Sequence, residues 1–236
     1  MSVYPPHPHA VIFGREVPTG SAWLTPDEQE AQACLHGRRL SDWRAGRWAV
    51  KQLLASTFGV THPGDIDVRN APDGCPTVLV RGWAAGPRIS ISHRAGRAAA
   101  ACSADGRPIG IDLEVIEPRS DRFIRDFFTT TEADRCLSLR GPDRDVHAVT
   151  IWSAKEGVLK CIRTGLRRDT RSVEVTLTLP TSLDEQWHPF QAIDLDGGGV
   201  HEGWWRIDNA MVFTLTTPTG SDRVPVHELA GRSGCG

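Results

Sequence analysis

Two carboxylates stand two residues apart in the stretch Ile109–Glu114, IGIDLE. In a β-strand alternate side chains share a face, so Asp112 and Glu114 project to one side and the apolar residues to the other. Carboxylates about 6.5 Å apart along a strand can reach toward one cation. Gly110 beside them would leave room for a ligand to approach the backbone. Alone, this pattern is more often a solvated strand face than a site.

A second charged stretch, Trp152–Lys160 (WSAKEGVLK), has the spacing of a helix with one buried stripe. Glu156 and Lys160 are four apart and share a helix face, with Lys155 beside them. An ordinary surface pair would explain that spacing. However, only three of the 27 basic residues are lysines, and two of those three lie in this stretch. Lysine is a compact charge with a tunable pKa that arginine does not replace where a phosphate or a proton transfer must be met.

The two stretches together resemble the signature of the 4′-phosphopantetheinyl transferases, specifically the surfactin-synthetase-activating type. The resemblance extends to Ile89–Arg94 (ISISHR), where the family carries a Ser-His pair, and to Phe127–Asp134 (FFTTTEAD), where it carries a similar F-F-x-x-x-E run. It covers roughly Ser41 to Arg168. The motif pair is far more specific than either stretch alone.

The fold implied by the resemblance is α+β, with two pseudo-symmetric α/β halves. Each half would contain a small, mostly antiparallel sheet packed on helices. We expect a division into residues 1–108 and 109–236, with the active site in the cleft between them. The order of the predicted elements is similar in each half, although no sequence repeat is visible.

The activity implied is transfer of the 4′-phosphopantetheine arm of coenzyme A to a carrier-protein serine, with release of adenosine 3′,5′-bisphosphate. The serine hydroxyl attacks an anionic pyrophosphate, and a hard divalent cation with oxygen ligands would neutralise that charge. By resemblance the metal ligands are Asp112, Glu114 and Glu156, and the catalytic residues are Asp112, Glu156 and Lys160. Glu156 would accept the serine proton directly or through a water on the cation. The sequence leaves open both this choice and the preference for Mg²⁺ or Mn²⁺.

Coenzyme A itself would be held by basic and polar residues. A predicted helix from Leu40 to Phe58 carries a basic stripe, which is more often a solvated face, but the resemblance favours phosphate binding. Two departures from the family are visible: Cys75 stands where a lysine is usual, which puts one phosphate contact in doubt, and Gly157 stands where alanine is usual. The expected coenzyme A ligands are Arg39, Arg44, Arg47, Lys51, Ser92, His93, Lys155 and Lys160.

The partner would be an apo acyl or peptidyl carrier protein, and the identity of that carrier is left open, as is the acceptance of acyl-coenzyme A. Such domains are acidic, so arginines on the surface would steer them. Two other readings remain. Three acids and a lysine also suit a Mg²⁺-dependent phosphodiesterase or nuclease, and Cys75 suits a non-catalytic relative that only binds coenzyme A or a carrier.

Composition limits the classes of protein. The chain has 236 residues, is 39% hydrophobic and carries a net charge of −2, which argues against a general nucleic-acid binder. No apolar run approaches the ~18 residues of a membrane span. The six cysteines are scattered, with no C-x-x-C pair, so neither a zinc site nor a redox pair is indicated. We expect a reduced, cytoplasmic protein that is monomeric, as the family type implies.

Two predicted helix starts complete the picture. Thr25-Pro-Asp-Glu28 has a threonine at the N-cap and a glutamate three residues on, and Thr129 and Glu132 have the same spacing. Glu132 is therefore expected to cap a helix, and the resemblance also places an acid near the active site here; the two roles can coexist. Alternation predicts strands at Arg88–His93, Ala98–Ser103, Ile109–Glu114 and four times after residue 172.

Overall fold

The computed structural model describes residues 9–14, 16–180 and 186–220. Contacts between Cα atoms divide the chain into two compact units. The first unit contains the described residues up to Arg107, and the second corresponds to Pro108–Ser221. Helices are combined with antiparallel strands in both units, which confirms the α+β class. The expected placement of the active site in a cleft between the halves stays a prediction.

In the first unit, one long helix packs on a small sheet. Strands β1, β5 and β4 pair antiparallel in that order, and β2 and β3 form a separate hairpin. The buried face of α2, which includes Ala49, Val50 and Leu53, packs with Ile66 of β2 and Ala100 of β5 in one core. The elements are β1 (His9–Gly14), α1 (Pro26–Ala33), α2 (Gly37–Phe58), β2 (Ile66–Asn70), β3 (Pro76–Val80), β4 (Arg88–Arg94) and β5 (Arg97–Ser103).

The second unit has a single five-stranded antiparallel sheet in the order β6-β10-β9-β8-β7. Its long helix α5 is buried along most of its length and shares a core with Phe190 of β8 and Trp205 of β9. The elements are β6 (Gly110–Val115), α3 (Asp121–Phe127), α4 (Thr130–Ser138), α5 (Gly141–Cys161), β7 (Val173–Leu177), β8 (His188–Asp194), β9 (Val200–Asp208) and β10 (Met211–Pro218).

Local signals in the sequence set most of these boundaries. Both predicted capping boxes form: Thr25 and Thr129 accept from the backbone of Glu28 and Glu132, whose side chains accept from the threonine amides in return. The predicted hairpin between β4 and β5 turns at Ala95 and Gly96, both at positive φ. The predicted helix over residues 40–58 is confirmed as α2, which begins earlier, at Gly37.

The two units repeat one plan of strand order and helix ends. Strand order β1-β5-β4 corresponds to β6-β10-β9. A two-residue turn joins β4 to β5 in the first unit, and another joins β9 to β10 in the second. The long helices begin at Gly37 and Gly141, with φ of 54° and 57°, and are followed by Gly59 and Arg163, with φ of 70° and 63°. Different residue types satisfy some of these repeated features, as Gly59 and Arg163 do after the two long helices.

Candidate active site

Helix α5 packs directly on the carboxylate-bearing face of β6. A methyl group on Gly110 would lie 1.9 Å from the carbonyl oxygen of Gly157, so only a glycine allows this approach of strand and helix. Gly157 is itself close to β10, because a methyl group there would lie 2.9 Å from Oγ1 of Thr216. The space beside Gly110, which the sequence suggested for a ligand, is therefore filled by the backbone of α5, and that expectation is wrong.

This packing brings a strand carboxylate and a helix carboxylate to one cation. The Nζ atom of Lys160 lies 2.6 Å from Oδ1 of Asp112 and 3.9 Å from Oε2 of Glu156. Asp112 is only 2% exposed, whereas the side chains of Lys160 and Glu156 are 26% and 17% exposed. A positive charge at this position is thus shared by two acids, and one side of it remains accessible to solvent.

Glu114 is fixed by two donors. The indole Nε1 of Trp152, one turn before Glu156 on α5, donates to its Oε1 at 3.2 Å. Arg119 donates to its Oε2 at 3.3 Å and also binds Glu117. Because both oxygens of Glu114 are engaged, this carboxylate is oriented by its neighbours rather than by solvent.

The motifs assign no role to Trp152 or Arg119. Trp152 has the signal that could have revealed it, since it stands four residues before Glu156 and therefore shares its helix face. Arg119 lies in the connection after β6, where no periodicity points to a partner.

The predicted three-carboxylate metal cluster is not gathered in this arrangement. Within residues 9–14, 16–180 and 186–220 no group of three or more histidine, cysteine, aspartate or glutamate side chains is arranged to hold a metal ion. The contacts give the reason. Lys160 forms an ion pair with Asp112, while Trp152 and Arg119 donate hydrogen bonds to Glu114. The donor chemistry, however, consists of hard carboxylate oxygens suited to Mg²⁺.

Lys155, expected to contact a phosphate, is instead sealed inside the second unit. Its side chain has 0% exposure and its Nζ lies 2.7 Å from Oε2 of Glu132. The ammonium also donates to the carbonyl oxygens of Thr170 and Val173. Three N–H groups thus meet three acceptors, so no donor remains for a phosphate. Burial lowers the pKa of Lys155 and raises the pKa of Glu132.

Lys51 in the first unit is placed in the same way. It has 0% exposure, its Nζ lies 2.7 Å from Oε2 of Glu28, and it donates to the carbonyl oxygens of Pro63 and Ile66. Burial lowers its pKa. The expected contact of Lys51 with coenzyme A does not fit this position, because its donors are already used.

The remaining basic stripe of α2 also faces protein. Arg44 donates to Gln32 at 2.8 Å and to the carbonyl oxygens of Pro18 and Gly20, and its guanidinium lies over Trp23. Arg44 therefore ties the segment before α1 to α2. The expected phosphate contact of Arg44 does not fit this position, because these partners already engage its guanidinium.

Arg47 differs from its neighbours on α2. It is 9% exposed, stacks on Trp43 at 3.6 Å from the ring centroid, and has its Nε 3.9 Å from Oε1 of Glu28. Its Nε has no hydrogen-bond partner among the described residues. Burial lowers its pKa to about 10. The side chain lines a pocket of about 380 Å³ with Asp67, Arg69 and others from α1 and β2.

The other expected coenzyme A ligands lie elsewhere in the first unit. Arg39 is exposed in the first turns of α2. Ser92 is buried and His93 is exposed, both near the end of β4. The Nδ1 atom of His93 lies 3.7 Å from Asp42 of α2, which also pairs with Arg38. His93 is thus beside the start of α2, but not in the pocket lined by Arg47.

Comparison with known proteins supports the family suggested by the motifs. Residues 108–195, which include β6 and all of α5, match the model of the 4′-phosphopantetheinyl transferase superfamily. This part of the second unit is therefore similar to the members of that superfamily. The surfactin-synthetase-activating type is not specifically distinguished by the match.

Three relatives with the same kind of name are similar in sequence to this chain. The chain is 30% identical over 145 residues to the 4′-phosphopantetheinyl transferase HetI of Nostoc sp., covering 61% of this chain and 59% of that protein. It is 23% identical to a putative 4′-phosphopantetheinyl transferase of Synechocystis sp., covering 85% and 72%. It is 35% identical to the holo-[acyl-carrier-protein] synthase of Streptococcus thermophilus, covering 30% and 62%. The chain thus spans less than two thirds of the first and third of these relatives.

Among solved structures, the holo-[acyl-carrier-protein] synthase of Thermotoga maritima aligns with a TM-score of 0.32 and 15% identity, covering 47% of this chain and 62% of that one. No helix in the described ranges has the length and apolarity that crossing a membrane requires.

Proposed function

We propose that the protein transfers the 4′-phosphopantetheine arm of coenzyme A to a serine of an acyl or peptidyl carrier protein, releasing adenosine 3′,5′-bisphosphate. The observation that carries the proposal is the contact of Lys160 with both Asp112 and Glu156. It joins the two motif stretches of the superfamily around one positive charge. The family match over residues 108–195 covers both stretches.

The reaction forms a bond between the serine oxygen and the β-phosphorus of coenzyme A and breaks the pyrophosphate bond. Glu156 is the partly exposed acid of the site and accepts the serine proton. Lys160, also partly exposed, moves its ammonium from Asp112 to the charge that develops on the pyrophosphate and its leaving group. The proton and the negative charge thus go to different residues of one helix face.

Asp112 and Glu156 would hold Mg²⁺ or Mn²⁺, since they already converge on a cationic group, and Glu114 lies next to Asp112 on the same strand face. When bound, the metal neutralises charge on the pyrophosphate. Trp152 and Arg119 keep Glu114 oriented toward this face, and loss of such supporting contacts costs metal affinity.

For coenzyme A, Arg47 is the best supported ligand in the first unit. The Nε atom of Arg47 is buried and has no hydrogen-bond partner within the part of the chain that the structure describes, and a phosphate oxygen would supply an acceptor. Arg39, Ser92 and His93 complete the proposed set there, and Lys160 contributes from the second unit. The name of the holo-[acyl-carrier-protein] synthase relative supports carrier proteins as the acceptors. The surfactin-synthetase-activating type, the monomeric state and the cytoplasmic location stay predictions.

A transfer assay tests the proposal. The protein is incubated with coenzyme A, Mg²⁺ and each of several apo acyl and peptidyl carrier proteins, and the intact mass of each carrier is measured. We expect at least one carrier to gain one phosphopantetheine. Cleavage of nucleic acid without coenzyme A would instead favour the phosphodiesterase reading, and tight coenzyme A binding without transfer to any carrier would favour the non-catalytic one.

A further inference from the structure

Each of the two buried lysines, Lys51 and Lys155, lies at the centre of a hydrogen-bond and ion-pair network, and the two networks are alike. In the first unit Thr25, Glu28 and Lys51 form the network, and in the second Thr129, Glu132 and Lys155 form it. The helical members keep a constant offset of 104 residues, from 25 to 129, from 28 to 132 and from 51 to 155.

The strand members of the network repeat as well, at an offset of 107. Lys51 donates to residues 63 and 66, and Lys155 to residues 170 and 173. Glu28 Oε1 accepts from the amide of Val68 and Glu132 Oε1 from that of Val175. The capping threonines donate to the intervening acids, Asp67 and Glu174. Each lysine thus ties its long helix to the preceding short helix and to the first strand after it.

The network occurs in both units, whereas the candidate catalytic residues occur only in the second, so the network holds the long helix in place and does not itself carry out the reaction. With the same offset of 104, Glu156 corresponds to Gln52 and Lys160 to Ser56, so the first unit has the network without the acid and the ammonium. A lysine kept for phosphate binding would have no reason to recur, fully buried and with all three donors used, in the unit that lacks the site. The geometry of the network also requires a compact ammonium, which explains why an arginine-rich chain retains these two lysines.

We propose that the Lys155–Glu132 pair is a positioning device that sets the rotation of α5, and through it the placement of Glu156 and Lys160 against Asp112. The inference rests on the proposed function. Lys155 and Glu156 are neighbours on the helix and project in different directions. The hydrogen bonds from Lys155 to Thr170 and Val173 therefore determine which face of α5 packs on β6. Lys155 acts through Glu156 and Lys160 and does not touch the substrate.

The test compares matched variants of the two networks. Lys155→Met leaves Glu132 buried and unpaired, whereas Lys155→Met with Glu132→Gln removes both charges and keeps an acceptor for the Val175 amide. Lys51→Met with Glu28→Gln is the same change in the first unit. The readouts are kcat at saturating coenzyme A, the dissociation constant of coenzyme A by calorimetry, and the indole ¹H–¹⁵N resonance of Trp152, assigned with Trp152→Phe.

We expect Lys155→Met to lower kcat by about tenfold or more, to change coenzyme A affinity by less than about threefold, and to shift the Trp152 resonance. The double variant should recover much of kcat, and the first-unit pair should leave kcat and the Trp152 resonance unchanged. Loss of coenzyme A affinity in both Lys155 variants with an unmoved Trp152 resonance would overturn the proposal. A wild-type protein inactive on every carrier would overturn the proposed function instead, while the Trp152 resonance would still test the positioning.

Discussion

Gly110 of β6 and Gly157 of α5 meet so closely that a methyl group on Gly110 would lie 1.9 Å from the carbonyl oxygen of Gly157. The contact sets the distance between the strand that carries Asp112 and the helix that carries Glu156. Gly110→Ala should therefore push α5 away and reduce the free energy of unfolding by about 1–3 kcal/mol or more, with loss of transfer activity. Chemical denaturation measures the first effect.

Gly64→Ala is the control, because a methyl group there would meet nothing within 4 Å. It should leave both stability and activity nearly unchanged. Equal stability of Gly110→Ala and the wild type would show that the strand and helix are not in this contact.

The hydrogen bond from Trp152 to Glu114 should matter for activity more than for stability. Trp152→Phe keeps the aromatic packing against Phe123 and Phe127 but removes the indole donor. We expect kcat/KM to fall by about 10–100-fold, as is usual for residues that orient metal ligands. Trp48, the counterpart 104 residues earlier, has an Nε1 without a hydrogen-bond partner among the described residues, so Trp48→Phe should have little effect.

Removal of the Lys160 ammonium should make the protein more dependent on metal. Lys160→Met leaves the nearly buried Asp112 without its closest cation, so the melting temperature in EDTA should fall. Added Mg²⁺ should then raise the melting temperature more than in the wild type, because an ion that binds the folded state alone stabilises it. A variant in which Mg²⁺ has no effect on melting would argue against a cation site at Asp112.

Acid sensitivity is expected from His147, which is 3% exposed on α5. Burial, with a smaller contribution from Arg135, lowers its pKa from 6.5 to about 4. Below 6.5 the unfolded chain binds a proton that the folded chain does not, so stability falls as the pH falls from 6.5 toward 4. The loss should reach about 3 kcal/mol near pH 4. Denaturation of His147→Phe across this range should show a shallower slope, and an unchanged slope would exclude His147 as the cause.

The sequence predicts the elements of this fold well and the partners of its charged side chains less well. The capping boxes at Thr25 and Thr129 and the face shared by Glu156 and Lys160 follow from local spacing, which a chain of any fold would show. The roles of Lys51 and Lys155 do not, because their acceptors are backbone carbonyls brought together only by tertiary packing.

The position of Gly110 shows the same limit. A glycine in a strand indicates a close approach, but the sequence does not say whether a ligand or a helix backbone makes it. Likewise, the motifs identify Asp112, Glu114 and Glu156 as candidate site residues. The role of Arg119 depends on the path of the connection after β6, which the periodicity of the sequence does not predict.

The most direct measurement is the rate of phosphopantetheine transfer to an apo-carrier, followed by intact mass, for the wild type, Asp112→Asn and Glu156→Gln at saturating coenzyme A and Mg²⁺. Gln52→Ala, at the place in the first unit that corresponds to Glu156, is the matched control. We predict transfer by the wild type and by Gln52→Ala, and a rate lower by about a hundredfold or more in each acid variant, with all four proteins folded. Undiminished transfer by Asp112→Asn and Glu156→Gln would contradict the assignment of the active site to β6 and α5.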